Sequence, residues 1–368
     1  MNNHPTALYI HIPFCETICD YCDFAKLQYF RFFAEKYLQK LEEEIKSYKV
    51  NKDLKTIYIG GGTPTALEDD LFAKLLEMIH PYTQNIKEYT VEANPESLSI
   101  NKLRLMKKYG VNRLSIGVES TNDEILKAIH RPHTFADVKK AILNAQKEGF
   151  DNLNVDLILG LPNASKTQLK KDLDNLLSLP ITHISCYSLT VHPNTNFYIK
   201  GVKEMESDIE RELYDIVEER LSQEGFIHYE ISNWCRPGHQ SLHNDTYWRD
   251  EQYYGVGLGA SGYINNIRYT NTRSINEYLN GVTIKEKERV TPDDDKEYFI
   301  MLNLRTNHGV NLEDYQKRFH EDFYQIYQEK INKNIANGKM IYDKKRGNIY
   351  LSYEGMMILD TILLELFA

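Results

Sequence analysis

Long hydrophobic runs are absent from this sequence, and so is any excess of positive charge. No uninterrupted apolar stretch in the 368 residues approaches the ~20 that a membrane-spanning helix needs. Lys and Arg total 44 against 53 Asp and Glu, which gives a net charge of −9. Nucleic-acid binders usually carry a basic surface. We therefore exclude a membrane-spanning protein and expect no nucleic-acid partner, which also disfavours an RNA-modifying enzyme.

A secretory signal is also missing. The first residues, MNNHPTALYI, contain neither a basic segment nor a long apolar one. We expect a cytoplasmic protein and leave open a peripheral position at the membrane. In a reducing compartment, grouped cysteines bind metals or serve catalysis more often than they form disulfides.

Cysteine is scarce but concentrated. Three of the five cysteines, Cys15, Cys19 and Cys22, form a C-x₃-C-x₂-C pattern just after an apolar run. Three thiolates can each bind one iron of a [4Fe–4S] cluster, whereas a structural cluster normally uses four cysteines. A metal site with an open position is the kind that binds a substrate. This spacing resembles the radical-SAM superfamily, in which S-adenosylmethionine occupies the open iron.

Zinc is the alternative for the same three thiols. It needs a fourth ligand, and His11 is a poor candidate because it lies in a predicted strand. Cys186 and Cys235 have no cysteine neighbours in the sequence. We expect both to be buried as small apolar residues.

Short β-branched runs alternate with amphipathic segments between residues 7 and 190. The predicted strands are 7–12, 56–60, 88–93, 113–117, 153–158 and 182–187. The predicted helices are 28–48, 68–80, 99–109, 135–148 and 166–178. Such alternation indicates βαβ units and a parallel sheet. Six units fall short of the eight of a closed barrel, so the predicted fold is α/β, an open (βα)₆ partial TIM barrel.

The pattern changes after residue 190, and we divide the chain into 1–200, 201–290 and 291–368. A helix is predicted over 205–224, followed by an aromatic-rich stretch, 228–263, with little periodicity. Helices near 295–305, 311–318 and 320–337, a strand pair at 340–342 and 348–351, and a final helix over 353–367 predict a smaller α+β domain of winged-helix type.

Several polar residues lie where the predicted barrel strands end. They are the glycine-rich segment 60–65, Glu92, Glu119, Arg131 and Asp156. Barrel enzymes build their sites at this face. Glycine has no Cβ atom, so a ligand can approach its backbone closely. Carboxylates accept hydrogen bonds from hydroxyl groups, and arginine binds carboxylates. Each residue alone is more often a turn or a surface charge; together they predict a clamp for a nucleoside and an amino acid.

Gly257–Gly262 matches G-x-G-x-x-G, but it falls outside the repeating βα region, so we reject a dinucleotide site. The segment His243-Asn244-Asp245-Thr246-Tyr247-Trp248 is a second concentrated signal. Histidine is a common axial haem ligand and aromatic rings pack on porphyrins. By itself the segment is more often a turn with a hydrogen-bonded histidine. His228 is a weaker candidate.

The motifs together resemble the HemN/HemW radical-SAM family over nearly the whole chain. They are Tyr9-x-His11-x-Pro13-Phe14-Cys15, GGGTPT at 60–65, NRLSIG at 112–117, NVDLI at 154–158, GLP at 160–162, YEISN at 229–233 and HNDTYW at 243–248. That family contains an oxygen-independent coproporphyrinogen III dehydrogenase, HemN, and a haem chaperone, HemW.

The resemblance implies roles for particular residues. Cys15, Cys19 and Cys22 would ligate the [4Fe–4S] cluster, with Tyr21 nearby, and His243 would bind haem. The implied S-adenosylmethionine contacts are Tyr9, Tyr21, Gly61, Gly62, Thr63, Glu92, Glu119, Arg131 and Asp156. The family usually has Gln at position 119.

Three features favour the chaperone branch. Phe24 stands where the dehydrogenase has a further cysteine, only eight residues precede Tyr9, and HNxxYW resembles the haem-binding motif of the chaperones. The predicted function is a haem chaperone with haem-donor and haem-acceptor proteins as partners, and a homodimer is left open. The alternative is an enzyme, a radical-SAM decarboxylase of coproporphyrinogen III.

Overall fold

The computed structural model describes residues 4–368, and its first part is the alternating βα region. The strands are β1 (Ala7–Ile12), β2 (Phe14–Cys15), β3 (Leu27–Gln28), β4 (Thr56–Gly61), β5 (Glu88–Ala93), β6 (Arg113–Glu119), β7 (Asn152–Leu159) and β8 (His183–Ser188). The helices are α1 (Arg31–Ser47), α2 (Asp69–Ile79), α3 (Ile100–Lys108), α4 (Asp123–Ala128), α5 (Phe135–Lys147) and α6 (Lys166–Leu177). All six predicted strands and all five predicted helices are present.

One helix boundary was predicted wrongly. Helix α1 begins at Arg31, not at residue 28, because Leu27 and Gln28 pair in parallel with Phe14 and Cys15. This short pairing, β2 with β3, closes the loop that carries the cysteines.

The middle of the chain is more regular than the sequence suggested. Its helices are α7 (Asn196–Ile199), α8 (Ser207–Gln223), α9 (Leu242–Trp248) and α10 (Ile275–Leu279). Its strands are β9 (Ile227–Glu230), β10 (Asn233–Cys235), β11 (Tyr253–Val256), β12 (Ser261–Ile264), β13 (Ile267–Asn271) and β14 (Ile284–Arg289). The stretch 228–263 therefore contains four strands and a helix, which its weak periodicity did not reveal.

Twelve strands of the described chain form one sheet, in the order β14-β13-β12-β11-β1-β4-β5-β6-β7-β8-β10-β9. Strands β1 and β4 to β8 are parallel neighbours, as the partial barrel requires. A seventh strand, β11, adds to β1 in parallel and was not predicted. The remaining strands pair antiparallel at both edges, so the sheet stays open.

The G-x-G-x-x-G match connects β11 to β12, which are antiparallel. The match therefore does not lie in a βαβ unit, which is the context that a dinucleotide-binding motif requires. At Gly257 a Cβ atom would lie 2.5 Å from the His11 carbonyl oxygen, and φ is +98°. Glycine is required there by close packing and by a left-handed backbone.

The last part of the chain has its own core. It comprises α11 (Pro292–Leu304), β15 (Val310–Asn311), α12 (Leu312–Phe319), α13 (Phe323–Ala336), β16 (Met340–Asp343), β17 (Asn348–Leu351), α14 (Tyr353–Met356) and α15 (Leu359–Phe367). Its buried side chains run from Phe299 to Leu366, while the large core runs from Leu8 to Tyr278.

The segment predicted as a separate extension, 201–290, packs its apolar residues into the large core; Val217, Trp234 and Tyr278 are examples. No helix within residues 4–368 combines the length and apolar character needed to cross a membrane.

Candidate functional site

A cavity of 480 Å³ opens among the barrel strands and reaches their carboxyl ends. All three cysteines of the C-x₃-C-x₂-C motif line it. So do eight of the nine residues that the sequence assigned to S-adenosylmethionine: Tyr21, Gly61, Gly62, Thr63, Glu92, Glu119, Arg131 and Asp156. The convergence expected at the strand ends is present.

The cysteine loop is held in place by a buried carboxylate. Asp20, only 1% exposed, lies between Cys19 and Cys22. It accepts a hydrogen bond from Asn196 at 2.9 Å, lies 2.8 Å from Nδ1 of His130 and pairs with Lys200. These contacts fix the loop to α7 and to the turn after α4, and the three thiols line the cavity.

The chemistry of the loop fits an iron–sulfur cluster. Cys15 is 7% exposed, and burial raises the pKa of its thiol to about 12. Metal binding must therefore release a proton from it. In a cluster each thiolate binds a different iron, so three cysteines leave the fourth iron open. Zinc would need a fourth protein ligand beside the three thiols.

Cys186 and Cys235 are fully buried and do not line the cavity. Their prediction as buried apolar residues is confirmed.

The glycine triplet is packed directly behind the cysteine loop. A Cβ atom on Gly62 would lie 2.9 Å from Cys15 Sγ, and one on Gly61 would lie 2.6 Å from the His11 ring. Gly61 also has φ +117°. Its N–H donates to a Glu92 carboxylate oxygen at 2.9 Å. The triplet thus brings strand β4 close to the thiols and orients Glu92.

Glu92 on β5 and Asp156 on β7 both line the cavity. Burial raises the pKa of Glu92 to about 7, although Tyr58 and the Gly61 amide donate hydrogen bonds to it. Burial also raises the pKa of Asp156, against donors that include Asn154 at 2.8 Å. Both carboxylates can accept further hydrogen bonds from a ligand.

Glu119 and Arg131 form a buried pair at the rim, with 3.7 Å between carboxylate and guanidinium. Glu119 ends β6 at φ +66°, where the register against β7 shifts. Burial raises its pKa to about 7, and Arg131 acts in the opposite direction. Arg131 also donates to Asn94 at 3.0 Å, to the Gly117 carbonyl, and toward Cys19 Sγ at 3.6 Å.

Tyr9 is the predicted contact that does not line the cavity. Its hydroxyl lies 3.0 Å from Nδ1 of His11, and its ring lies 6.1 Å from that of Tyr58. It supports residues that line the cavity, so a direct ligand contact by Tyr9 stays a prediction.

Helix α9, which carries HNDTYW, closes the amino end of the partial barrel. The Glu88 carboxylate, at the start of β5, accepts from the backbone N–H of Leu242 at 2.7 Å and of His243 at 3.1 Å. His243 is fully buried, with Nδ1 2.9 Å from Thr56 Oγ1 and Nε2 2.7 Å from the Tyr247 hydroxyl. In this arrangement neither ring nitrogen is free for an iron, and Asn244, not His243, lines the cavity.

His228 is likewise engaged. Its ring stacks on Trp234 at 4.1 Å, and its Nε2 lies 3.1 Å from the Ile231 carbonyl oxygen. Phe24 is different: it lines the cavity mouth and is 68% exposed.

Several cavity residues were not predicted as site residues, although some of them stand in the motifs that carried the resemblance. They are Tyr58, Arg113, Ser115, Gly117, Asn154, Ser185 and Asn244. A signal was available for some of them. Arg113, Ser115, Gly117 and Glu119 alternate along β6, and alternate residues of a strand share a face. Polar residues at every second position of a buried strand indicate that this face of the strand lines a cavity.

Known protein families match both the barrel and the last part of the chain. A model of the radical SAM superfamily matches residues 9–176, and a model of the HemN C-terminal domain matches residues 290–358. The heme chaperone HemW of Lactococcus lactis subsp. lactis (strain IL1403) is 36% identical, over 96% of this chain and 95% of that protein. HemW of Bacillus subtilis (strain 168) is 37% identical, over 95% and 96%. The chain belongs to the HemW family of radical-SAM proteins. Such membership implies a [4Fe–4S] cluster and S-adenosylmethionine, and it confirms the resemblance found in the sequence.

A solved structure supports the fold. Coproporphyrinogen III oxidase (HemN) from Escherichia coli matches with a TM-score of 0.83 and 21% identity, over 98% of this chain and 89% of that one. At this identity the likeness concerns the fold alone, and it confirms the predicted α/β partial barrel. HemW relatives are named as chaperones and not as oxidases.

Proposed function

We propose that the chain is a haem chaperone, which binds haem together with a [4Fe–4S] cluster and S-adenosylmethionine and delivers haem to acceptor proteins. The observation that carries this proposal is the similarity to HemW proteins over nearly the full chain. Haem-donor and haem-acceptor proteins are the proposed partners. A homodimer and a cytoplasmic location, peripheral at the membrane, stay predictions.

The cysteine loop is the proposed cluster site. Cys15, Cys19 and Cys22 would each bind one iron and leave the fourth open. S-adenosylmethionine would lie against Gly61, Gly62 and Thr63 on one side of the cavity. The remaining proposed contacts are Tyr9, Tyr21, Glu92, Glu119, Arg131 and Asp156. When bound, the cluster supplies an electron and an open coordination site; the chain supplies the position and the hydrogen bonds.

His243 remains the proposed haem ligand, and the geometry states a condition for it. The hydroxyl groups of Thr56 and Tyr247 are hydrogen-bonded to the two ring nitrogens. One of these hydrogen bonds must break before the imidazole can bind iron. A movement of α9 at the amino end of the barrel would achieve this. Haem binding should then compete with the closed position of α9.

The alternative function is that of an oxygen-independent coproporphyrinogen III dehydrogenase. The cavity at the strand ends favours it, since the three cysteines and eight of the nine proposed S-adenosylmethionine contacts line it. Phe24 argues against it, because a phenyl ring supplies no thiolate where the dehydrogenase has a cysteine.

One anaerobic experiment separates the two functions. Reconstituted protein is titrated with hemin by absorption spectroscopy and is assayed in parallel for coproporphyrinogen III turnover. We expect saturable haem binding and no S-adenosylmethionine-dependent turnover. Turnover without haem binding would establish the dehydrogenase instead.

Two matched variants test the ligand. His243→Ala should weaken haem binding on the order of tenfold or more if its imidazole binds iron. Tyr247→Phe removes only the hydroxyl that holds Nε2, so it should strengthen haem binding. Haem affinity that is unchanged in both variants would place the ligand elsewhere and leave the chaperone function standing.

A further inference from the structure

Arg113 is a buried charge without a partner. It begins strand β6, is 2% exposed and lines the central cavity. Within residues 4–368 its Nε has no hydrogen-bond partner, and no carboxylate lies within 4.0 Å of its guanidinium. Burying a guanidinium is costly unless an anion or several hydrogen bonds compensate for the lost water. No direct contact with an anion therefore compensates for the burial of this guanidinium, and its Nε is left without an acceptor.

The nearest carboxylates are committed to other donors. Glu88 accepts from the backbone N–H groups of Leu242 and His243 and from the Ser241 hydroxyl at 3.3 Å, which fixes the start of α9. Asp156 accepts from Asn154 at 2.8 Å and from Ser115 at 3.4 Å. Both act on Arg113 through space but make no direct contact with it.

Arg113 is also distinct from the arginine at the rim. Arg131 donates to the carbonyl of Gly117, four residues further along β6. At ~3.3 Å per residue, the backbone of Arg113 lies about 13 Å deeper along the strand. The two guanidinium groups thus serve different parts of the cavity, one near the thiols and one toward the closed amino end.

Neutral hydrogen-bonding groups line the cavity around the deeper arginine. Tyr58, Ser115, Asn154 and Asn244 contribute hydroxyl and amide groups from three strands and from α9. The carboxylates of Glu92 and Asp156 line the same cavity, so a single guanidinium there matches a ligand with no more than one negative charge. Its planar fork matches a carboxylate, whereas a doubly charged phosphate would be repelled more strongly by these carboxylates and by Glu88.

We propose that Arg113 anchors a second anion subsite, deep in the barrel, that binds the carboxylate of a small organic ligand. This subsite is separate from the S-adenosylmethionine site at the rim. It does not depend on haem binding, so it goes beyond the proposed function. Asn244 lines this subsite from helix α9, the helix that closes the amino end of the barrel, and would contact the same ligand.

The test uses the full-length protein with its cluster reconstituted and S-adenosylmethionine in excess, so that the rim site is filled. Saturation-transfer NMR measures binding of acetate and, separately, of the uncharged acetamide. We expect a clear signal from acetate and a signal at least fivefold weaker from acetamide. Equal signals from the two probes, or an acetate signal that disappears when S-adenosylmethionine is added, would overturn the proposal.

Variants assign the signal to the residue. Arg113→Met should lose most of the acetate signal, whereas Arg346→Met, which changes an arginine with an 80% exposed side chain, should keep it. Should Arg113→Met fail to fold, Asn244→Leu fills the same subsite from α9 and should abolish the signal without changing iron content. Wild-type acetate binding in a folded Arg113→Met protein, or in Asn244→Leu, would refute the subsite.

Discussion

Thr56 Oγ1 lies 2.9 Å from Nδ1 of His243, so the first residue of β4 is hydrogen-bonded to a side chain 187 positions later. Burial, and then the charge of Arg113, lower the pKa of this imidazole to about 3. The ring is neutral in the folded protein at any pH near neutrality. His243 is thus a hydrogen-bonded core residue that joins helix α9 to the barrel.

The buried histidine predicts how stability depends on pH. An unfolded histidine titrates near 6.5, and the folded one binds its proton only near 3, so the unfolded state gains protons first as the pH falls. The contribution of the neutral His243 to the free energy of unfolding is therefore fully present above pH 6.5 and is lost progressively below it. Between pH 7 and pH 5 His243 alone should lower the free energy of unfolding by about 2 kcal/mol.

Urea unfolding of cluster-free protein at the two pH values measures this loss. His243→Gln removes the titrating group, so its loss between pH 7 and pH 5 should be smaller than that of the wild type. His80→Gln, on the exterior, should behave as the wild type does. An equal pH effect in all three proteins would mean that His243 is accessible to protons in the folded state. His11, whose pKa burial lowers to about 4, adds a loss of the same sign in every protein.

The cysteine loop makes a prediction about iron. Anaerobically reconstituted wild-type protein should contain about four irons per chain, as a [4Fe–4S] cluster does. Replacing Cys15, Cys19 or Cys22 by Ser should abolish the cluster, since each thiol is needed for one iron. Cys186→Ala and Cys235→Ala change buried core residues and should keep the iron, which is measured by colorimetric assay and EPR. Loss of iron in Cys235→Ala would refute the three-thiol site.

Glu119 pairs with Arg131 inside the proposed S-adenosylmethionine site, with 3.7 Å between the carboxylate and the guanidinium. The resemblance found in the sequence implies Gln at this position. Glu119→Gln should free Arg131 for the carboxylate of S-adenosylmethionine and strengthen binding about three- to tenfold, or roughly 1 kcal/mol. The dependence of the reduced-cluster EPR signal on S-adenosylmethionine concentration measures this. Glu42→Gln, on the outer face of α1, is the control. Weaker binding in Glu119→Gln would show that the charge itself contacts the ligand.

Local pattern was sufficient to predict the barrel strands and the rim of the site. Buried parallel strands read as short apolar runs, and each is followed by a turn and an amphipathic helix. Glu92, Glu119 and Asp156 could be assigned to the rim because they stand at the ends of such runs. Their meeting in one cavity then follows from the parallel topology.

The other end of the barrel could not be predicted in this way. Helix α9 has seven residues, and its place is decided by contacts with Thr56 and Glu88, which are distant in sequence. Strand β11 could not be predicted for the same reason. Its four residues pair with β1, from which about 240 residues separate it along the chain. Neither periodicity nor turn residues encode such pairings. The sequence therefore predicted a haem ligand at His243 without showing that its ring is enclosed.

Two of the glycines that line the cavity, Gly62 and Gly117, carry the last prediction, and each is the control for the other. A Cβ atom on Gly62 would lie 2.8 Å from the Pro13 carbonyl carbon and 2.9 Å from Cys15 Sγ, so Gly62→Ala should displace the cysteine loop. A Cβ atom on Gly117 would instead lie 2.9 Å from Arg131 Nη2 and 3.1 Å from Glu119 Oε1. Overpacking of this kind typically costs about 1–3 kcal/mol. We expect Gly62→Ala to lower iron content, and Gly117→Ala to keep its iron but to respond less to S-adenosylmethionine in EPR. If both variants lose iron and S-adenosylmethionine response together, the thiols and Arg131 do not form separable parts of the site.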